Sequence, residues 1–272
     1  MIINYAKTKL LTIVYAGILL LMAIEFKVSA ESLQGLRSNN EDAIKFTMAD
    51  GLFLALVADG MGGHASGEVA STEAIKSIEQ EVFDQGPFLD GSEVGDTALI
   101  QHGYISANES LLNLSRNNPK LLNMGTTMVG LFYRENTPNV LISNLGDSRC
   151  YVMEDQKLSL ITADHSFAHA LYIAGSITLA QVATHPFRNR IYKYLGAKDL
   201  TGGPDVFIHH VVPGQRYLIC SDGLSGSINF ADLQNYLATE PLEGLALKLC
   251  QISLKNGSTD NTSAVVVDVV QA

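Results

Sequence analysis

Residues 52–58 read LFLALVA, a continuous apolar run between the dipeptides Asp50-Gly51 and Asp59-Gly60. Turn signals on both sides of seven apolar residues indicate a buried strand. Asp59 follows this strand at once, and Gly60 leaves the backbone open to close approach. Asp59 is therefore a candidate ligand for a hard cation, whereas Asp50-Gly51 is interpreted as a turn and nothing more.

Working outward from this strand, helical and strand patterns come in blocks. Apolar spacing predicts helices over 67–82, 97–116, 230–237 and 242–254. Residues 164–193 contain short helical pieces broken by Gly175 and Pro186, so they are predicted to be an insertion. Long helices grouped between strands favour one α+β layered domain. The other predicted strands are 26–32, 126–133, 140–144, 150–154, 158–162, 206–212, 216–220 and 263–270.

Composition excludes several classes of protein. The chain has 272 residues and a formal net charge of −10, which argues against a nucleic-acid partner. Cys150, Cys220 and Cys250 form no CxxC pair, so neither a disulfide framework nor a zinc site is expected. Cys150 and Cys220 lie in strand patterns and are predicted to be small buried residues. A reducing, cytoplasmic location fits this cysteine usage.

The N-terminus leaves three alternatives open. Residues 10–24 are apolar and follow Lys7 and Lys9, which is typical of a short membrane anchor or a secretory signal. The run is shorter than the roughly 18–20 residues of a spanning helix. Residues 28–30, VSA, resemble a signal-peptidase site, and Met22 is an alternative start of translation. We therefore treat residues 1–24 as a hydrophobic segment, and residues 25–272 as the folded domain.

Acidic residues recur beside the ends of apolar elements. Each Asp-Gly pair alone is first of all a turn signal. Five such sites meeting at one place would form an oxygen-only site, which suits Mg²⁺ or Mn²⁺. The segments are NNEDA (39–43), VADGMGGHASGE (57–68), NLGDSR (144–149), CSDGLSG (220–226) and STDNTSAVVV (258–267).

These segments and their neighbours resemble the metal-dependent protein phosphatase family, the type 2C Ser/Thr phosphatases, and its compact bacterial members above all. The resemblance covers about residues 26–270 in the family's order. It implies an α+β fold, a four-layer α-β-β-α sandwich of two antiparallel sheets flanked by helices, with a helical flap at about 166–189. The matching motifs are GLRSNNEDA, VADGMGGHASGEVAS, MGTTMVG, NLGDSRCYV, ADHS, THPFRNRIYKYLG, VPGQRYLICSDGL and DNTSAVVV.

The resemblance also implies a set of metal ligands for two Mn²⁺ or Mg²⁺ ions. Asp59 would bridge the two ions, and Asp222 and Asp260 would complete the first. Glu41 and the carbonyl of Gly60 would serve the second. A third, weaker ion would use Asp147 together with Asp222. Asp42 and Asn261 would hold these ligands in place.

The remaining roles concern phosphate and protons. Two such ions can activate a water for attack on phosphorus. Arg37 matches the family's phosphate-binding arginine, whose guanidinium can grip two oxygens at once. Met61 stands where animal relatives have a histidine that serves as general acid, and His64 is the substitute that the sequence offers. His165 in the ADHS motif is expected to have a hydrogen-bonding structural role.

The function implied is hydrolysis of phosphoserine and phosphothreonine in proteins, opposing a partner Ser/Thr kinase. Two alternatives remain from the sequence: a catalytically inactive binding or sensor module on the same fold, and an exported hydrolase of small phosphoesters. The second rests on residues 10–30 alone. We expect residues 25–272 to be the phosphatase catalytic domain, in the cytoplasm, with membrane association only through residues 10–24.

Overall fold

The computed structural model describes residues 24–62, 66–200 and 202–272. Two predictions fall outside these ranges: most of the apolar segment 1–24, and His64. None of the helices in the described ranges is long and apolar enough to cross a membrane.

Eleven strands and seven α-helices are found in the described residues. The strands are β1 (Ile24–Leu33), β2 (Asp42–Ala49), β3 (Leu52–Met61), β4 (Gly125–Thr126), β5 (Met128–Arg134), β6 (Asn139–Leu145), β7 (Arg149–Glu154), β8 (Lys157–Leu160), β9 (Asp205–His210), β10 (Arg216–Cys220) and β11 (Thr262–Gln271). The helices are α1 (Ser66–Gln85), α2 (Glu93–Asn117), α3 (Phe167–Ile173), α4 (Leu179–Val182), α5 (Asp222–Ser225), α6 (Phe230–Thr239) and α7 (Leu245–Lys255).

Two antiparallel sheets form the centre of the molecule. A five-stranded sheet has the order β1-β11-β10-β7-β8, and a six-stranded sheet has the order β2-β3-β5-β6-β9 with β4 paired to β3. The predicted turn at Asp50-Gly51 joins β2 to β3, with φ of 52° and 71° at its two residues. That dipeptide is thus confirmed as a hairpin turn, because both residues adopt the left-handed conformation that Asp and Gly tolerate.

The helices cover the outer faces of both sheets. Helices α1 and α2 pack on the six-stranded sheet through residues such as Ile78 and Leu111. Helices α6 and α7 pack on the five-stranded sheet through Leu233 and Leu249. A third core lies between the two sheets. Its large aromatic residues, such as Tyr217, all come from strands. The predicted four-layer α-β-β-α sandwich is confirmed.

The apolar run at 52–58 has a physical explanation in this layering. Leu52, Leu54 and Leu56 point to the core under α1 and α2. Phe53 and Val57 point to the core between the sheets. Because β3 is covered on both faces, its sequence is continuous rather than alternating in hydrophobicity. The three cysteines are all free and buried, as expected of Cys150 and Cys220.

The predicted insertion is found between β8 and β9. Helices α3 and α4 belong to it, and Ser166 forms a single β-bridge with Ile191 that closes its base. Strand β8 ends at Leu160, two residues before the predicted end at 162. The backbone pairing stops there because Cys150 N–H donates to the side-chain hydroxyl of Thr162, at 3.0 Å, and not to a backbone carbonyl. We refer to residues 166–191 as the flap.

Candidate metal centre

The predicted acidic residues meet at one end of the sandwich. They line a cavity of about 340 Å³ whose walls come from both sheets and from the flap. Among the residues predicted from the sequence, the lining contains Arg37, Glu41, Asp59, Gly60, Met61, Asp147, Asp222, Asp260 and Asn261. Gly62, Thr127, Asn189 and Ile191 complete it.

Hydrogen bonds to Thr126 and Thr127 hold the backbone of Asp59 in place. Its N–H donates to the Thr127 hydroxyl at 3.1 Å, and its carbonyl accepts from Thr127 N–H and from the Thr126 hydroxyl, both at 2.9 Å. The backbone therefore leaves only the carboxylate free to turn. Desolvation raises the pKa of Asp59 well above its usual range, and repulsion from Asp42, Asp222 and Asp147 adds to the rise.

Asp222 follows β10 and Asp260 precedes β11, and these two strands are neighbours in the other sheet. Asp222 is also the first residue of α5. A Cβ at Gly223 would lie 1.9 Å from the Asn261 carbonyl oxygen, so only glycine lets the two segments approach. Desolvation and then repulsion from Asp260 raise the pKa of Asp222, although hydrogen bonding to Asp59 offsets part of the rise.

Asp147 lies in the turn that crosses from the six-stranded to the five-stranded sheet, between β6 and β7. Gly146 has a φ of 119°, and its N–H donates to His165 Nδ1 at 3.0 Å. The Nε2 atom of His165 lies 3.2 Å from an Asp205 carboxylate oxygen. His165 thus has hydrogen-bonding partners on both ring nitrogens. Desolvation and repulsion from Asp222 raise the pKa of Asp147 to about 8.

Glu41 and Gly60 form the opposite wall of the cavity. Gly60 N–H donates to the Glu41 carbonyl at 3.1 Å. A Cβ at Gly60 would lie 2.2 Å from the Gly67 carbonyl oxygen and 2.5 Å from that of Glu41. A Cβ at Gly67 would lie 2.8 Å from Glu41 Oε2. Both glycines are therefore required by close packing around the Glu41 side chain and the Gly60 backbone.

Asp42 and Asn261 lie behind the candidate ligands. Asp42 Oδ2 accepts from the hydroxyls of Ser221 at 2.8 Å and Ser263 at 2.7 Å, while Oδ1 has no partner. Desolvation raises the pKa of Asp42 to about 7, which the two serines partly oppose. Asn261 accepts from Glu41 N–H at 2.9 Å and donates to the carbonyls of Gln34 and Asn39. Asn261 thus contacts the backbone of Glu41, whereas Asp42 contacts serines directly after β10 and near the start of β11; the role of both residues in holding metal ligands stays a prediction.

Arg37 lies at the mouth of the cavity. Its Nη2 donates to Asp260 Oδ2 at 2.8 Å, and its side chain is 54% exposed. Exposure of this extent leaves guanidinium N–H groups open to an incoming anion. Thr127, Asn189 and Ile191 are lining residues that the sequence reasoning missed. The TT dipeptide at 126–127 was interpreted as sheet structure, which is confirmed for Thr126.

The candidate ligands offer only oxygen donors to a divalent cation. The described side chains contain no ready-made group of three or more His, Cys, Asp or Glu residues that could hold a metal ion. The chemistry of the set nevertheless fits, because its donors are all oxygen atoms. The pKa values of Asp59, Asp147 and Asp222 are raised partly by mutual repulsion, and only a cation removes that repulsion without protons.

Comparisons with known proteins agree with this geometry. Residues 34–256 match the family model described as Protein phosphatase 2C. The Ser/Thr protein phosphatase PstP of Mycobacterium tuberculosis is 33% identical over 252 residues, which is 92% of this chain and 46% of PstP. This chain thus spans about half the length of PstP. The Ser/Thr phosphatase stp of Listeria monocytogenes is 30% identical over 206 residues, 75% of this chain and 80% of that protein.

Solved structures show the same architecture. The crystal structure of M. tuberculosis PstP has a TM-score of 0.78 at 30% identity and covers 92% of this chain and 100% of that one. The S. agalactiae Ser/Thr phosphatase has a TM-score of 0.82 at 27% identity, covering 91% and 100%. The PstP catalytic domain in complex with two manganese ions has a TM-score of 0.77 at 29% identity, also covering 91% and 100%. The chain belongs to the protein phosphatase 2C family.

Proposed function

We propose that this protein is a metal-dependent phosphatase that hydrolyses phosphoserine and phosphothreonine in proteins and opposes a Ser/Thr kinase. The observation that carries the proposal is one cavity in which carboxylates from both sheets face an exposed arginine. Carboxylates attract divalent cations, and the arginine attracts a phosphate group. A family relative that binds two manganese ions supports the choice of Mn²⁺ or Mg²⁺.

The proposed ligands are those that line the cavity. Asp59 would bridge two ions, with Asp222 and Asp260 on the first, and Glu41 and the Gly60 carbonyl on the second. Asp147 and Asp222 would hold a third ion. When bound, such ions lower the pKa of a water, direct it at phosphorus and offset charge on the phosphate oxygens.

The protein's own side chains would bind and orient the substrate. Arg37 would donate to phosphate oxygens and would exchange its contact with Asp260 for this one. Thr127 would keep Asp59 in place through its backbone hydrogen bonds. Among the described residues that line the cavity there is no histidine, so the proton donor to the leaving alkoxide stays a prediction for His64, outside the described residues.

The cellular setting is also a proposal. Residues 25–272 would form the catalytic domain, and phosphoproteins made by a Ser/Thr kinase would be its substrates. Hydrolysis of these phosphoproteins would require no further protein partner, because a water and the bound ions would complete the reaction. We propose a cytoplasmic location, with membrane contact only through residues 10–24.

A direct assay tests the proposal. The full chain and a version starting at Met22 should hydrolyse p-nitrophenyl phosphate and phosphothreonine peptides with Mn²⁺, and should stop with EDTA. Asp59→Asn should lose at least about 10²-fold in kcat, the scale of one lost electrostatic contribution at a reacting centre. Asp50→Asn is the matched control, because Asn tolerates the positive φ of that turn. Absence of metal-dependent turnover on both substrates would refute the proposal.

A further inference from the structure

The flap and the segment after it differ in charge from the rest of the molecule. Residues 166–198 contain four of the 18 Lys and Arg residues of the chain, at positions 188, 190, 193 and 198. They contain none of its 28 Asp and Glu residues. In a chain of net charge −10, this segment is a local region of positive charge.

Two of these arginines are chain neighbours of residues that line the cavity of the candidate metal centre. Asn189 and Ile191 line that cavity, and Arg188 and Arg190 alternate with them along the chain. Both arginines are exposed. Turn hydrogen bonds set the path of this segment: Arg188 N–H donates to His185 O, and Arg190 N–H to Phe187 O, both at 3.1 Å. The backbone that carries the two arginines is therefore ordered, and it runs along the rim of the cavity through Asn189 and Ile191.

Arg190 is further held by aromatic rings. Its guanidinium carbon lies 4.9 Å from the centre of the Phe167 ring and 5.9 Å from that of Phe187. Phe167 N–H donates to the Arg190 carbonyl at 2.9 Å, which fixes α3 against this residue. A guanidinium packed on an aromatic face retains its N–H donors around its edge, so it remains able to bind an anion.

The charge of these arginines is not used within the described part of the chain. Neither Arg188 nor Arg190 forms an ion pair there, whereas Lys193 pairs with Asp205 at 2.9 Å. The arginines that lower the pKa of the cavity carboxylates are Arg149, which acts on Asp147 and Asp222, and Arg37, which contacts Asp260. Arg188 and Arg190 are therefore available to a molecule that enters the cavity.

We infer that Arg188 and Arg190 bind an oxyanion of the substrate protein next to the phosphorylated residue, either an Asp or Glu carboxylate or a second phosphate. This inference rests on the proposed phosphatase function and names its preferred substrate class. An extended peptide advances about 3.3 Å per residue, so groups one to three residues from the phosphorylated residue lie roughly 3–10 Å from it, beside the cavity. Arginine suits both anions, because its fork of donors matches two oxygens.

The test compares phosphothreonine peptides that differ only beside the phosphorylated residue. One series carries Ala, Lys, Glu or a second phosphothreonine at positions two residues away. For the wild-type full chain with Mn²⁺, kcat/KM should be roughly fivefold higher for the Glu and doubly phosphorylated peptides than for Ala, and lowest for Lys, in line with exposed charge contacts. The preference should shrink as salt is raised from 50 to 500 mM.

Variants locate the effect. Arg190→Gln and Arg188→Gln should each reduce the ratio of kcat/KM for the acidic over the Ala peptide by about half or more, and the double variant should abolish it. Arg190→Lys should retain part of the ratio, because charge remains without the fork. Lys27→Gln is the matched control and should keep the full ratio. Lys27 is exposed near the start of β1, about 20 Å along the strand from Leu33, the end of β1 that leads to Arg37.

The outcomes separate the two proposals. Turnover of p-nitrophenyl phosphate by the wild type reports the proposed activity alone, since that molecule has no flanking residues. If the wild type hydrolyses p-nitrophenyl phosphate but shows equal kcat/KM for the Ala, Glu and doubly phosphorylated peptides, the inference is overturned. The proposed phosphatase function would then still stand. An equal loss in Lys27→Gln would also overturn it, because net charge and not the rim would then explain the preference. A gain with the second phosphate alone would identify phosphate as the anion.

Discussion

Arg37 Nη2 lies 2.8 Å from Asp260 Oδ2, which joins the predicted phosphate-binding arginine to a predicted metal ligand. Asp260 Oδ1 accepts from Asn261 N–H at 2.8 Å, so both carboxylate oxygens of Asp260 have a protein partner. Arg37 is half exposed, and an exposed pair of this kind contributes only about 0–1 kcal/mol. The contact is therefore weak enough to exchange when a cation or a phosphate arrives.

The Arg37 contact leads to a prediction for substrate binding. Arg37→Gln should raise KM for phosphopeptides by about 10-fold or more, because hydrogen bonds to a charged group contribute roughly 1.5–3 kcal/mol. The apparent affinity for Mn²⁺ should stay equal or rise, since the variant frees an oxygen of Asp260. Mn²⁺ titrations of activity, with KM and kcat determined separately, check both parts. A fall in Mn²⁺ affinity without a change in KM would assign Arg37 a purely structural role.

The raised carboxylate pKa values lead to a prediction for stability against pH. Desolvation raises the pKa of Asp42 to about 7 and that of Asp147 to about 8, and it also raises those of Asp59 and Asp222. The folded state then binds more protons than the unfolded state between about pH 4 and pH 8. The contribution of these four groups to the free energy of unfolding therefore falls as pH rises through this window.

In EDTA, the melting temperature should be higher at pH 6 than at pH 8. With Mn²⁺ the difference should shrink or reverse, because the cation replaces the protons. Scanning calorimetry at both pH values measures this directly. Asp147→Asn should flatten the dependence in EDTA, while Asp50→Asn at the β2–β3 turn should not. A melting temperature in EDTA that rises from pH 6 to pH 8 would contradict the role given to these groups.

The packing at Gly60 leads to a prediction for a glycine replacement. Gly60→Ala would place a Cβ 2.2 Å from a backbone oxygen of Gly67, so the backbone must move. We expect a loss of about 1–3 kcal/mol in stability and loss of Mn²⁺-dependent activity, because Gly60 lines the cavity. Gly103→Ala in α2 is the control, since its Cβ meets nothing closer than 3.7 Å. That variant should be as stable as the wild type or more so.

The hydrogen bond from Gly146 to His165 leads to a prediction for a positioning residue. His165→Leu removes the acceptor for Gly146 N–H and should loosen the turn that carries Asp147. Activity should then need about 10-fold more Mn²⁺, the lower end of what loss of a supporting partner costs. His165→Asn retains an acceptor near the Nδ1 position and should restore part of the affinity. Equal losses in both variants would indicate a general packing defect, which a lowered melting temperature would reveal.

The buried strand β3 was predictable from the sequence, whereas the edge strand β2 was not. The run at 52–58 was predictable because both faces of β3 are covered, so its hydrophobicity is continuous. Strand β2 was missed, since it lies at a sheet edge and mixes exposed Lys45, Phe46 and Met48 with partly buried residues. Its pattern follows neither a period of two nor a continuous run, and its place comes from pairing with β3.

The site was predictable as far as its carboxylates, which stand beside turn residues in recognisable motifs. The hydrogen bonds that support these carboxylates were not predictable, because these bonds join distant parts of the chain. The Ser263 hydroxyl that holds Asp42 is 221 residues away from it. Thr127 reaches Asp59 across 68 residues, and Asn189 reaches the cavity through the fold of the flap. No local pattern carries such information, which arises only when the two sheets pack.

The arrangement of the candidate ligands on two sheets has a consequence for the lifetime of the protein. Asp59 belongs to one sheet, Asp222 follows a strand of the other, and Asp147 sits in the crossing between them. A cation held by both Asp59 and Asp222 would cross-link the halves of the sandwich and stabilise the folded state by mass action. Limited proteolysis should therefore be slower with Mn²⁺ than with EDTA. A cell short of manganese would then lose this protein by degradation as well as by inactivity, so that the metal supply would set its abundance.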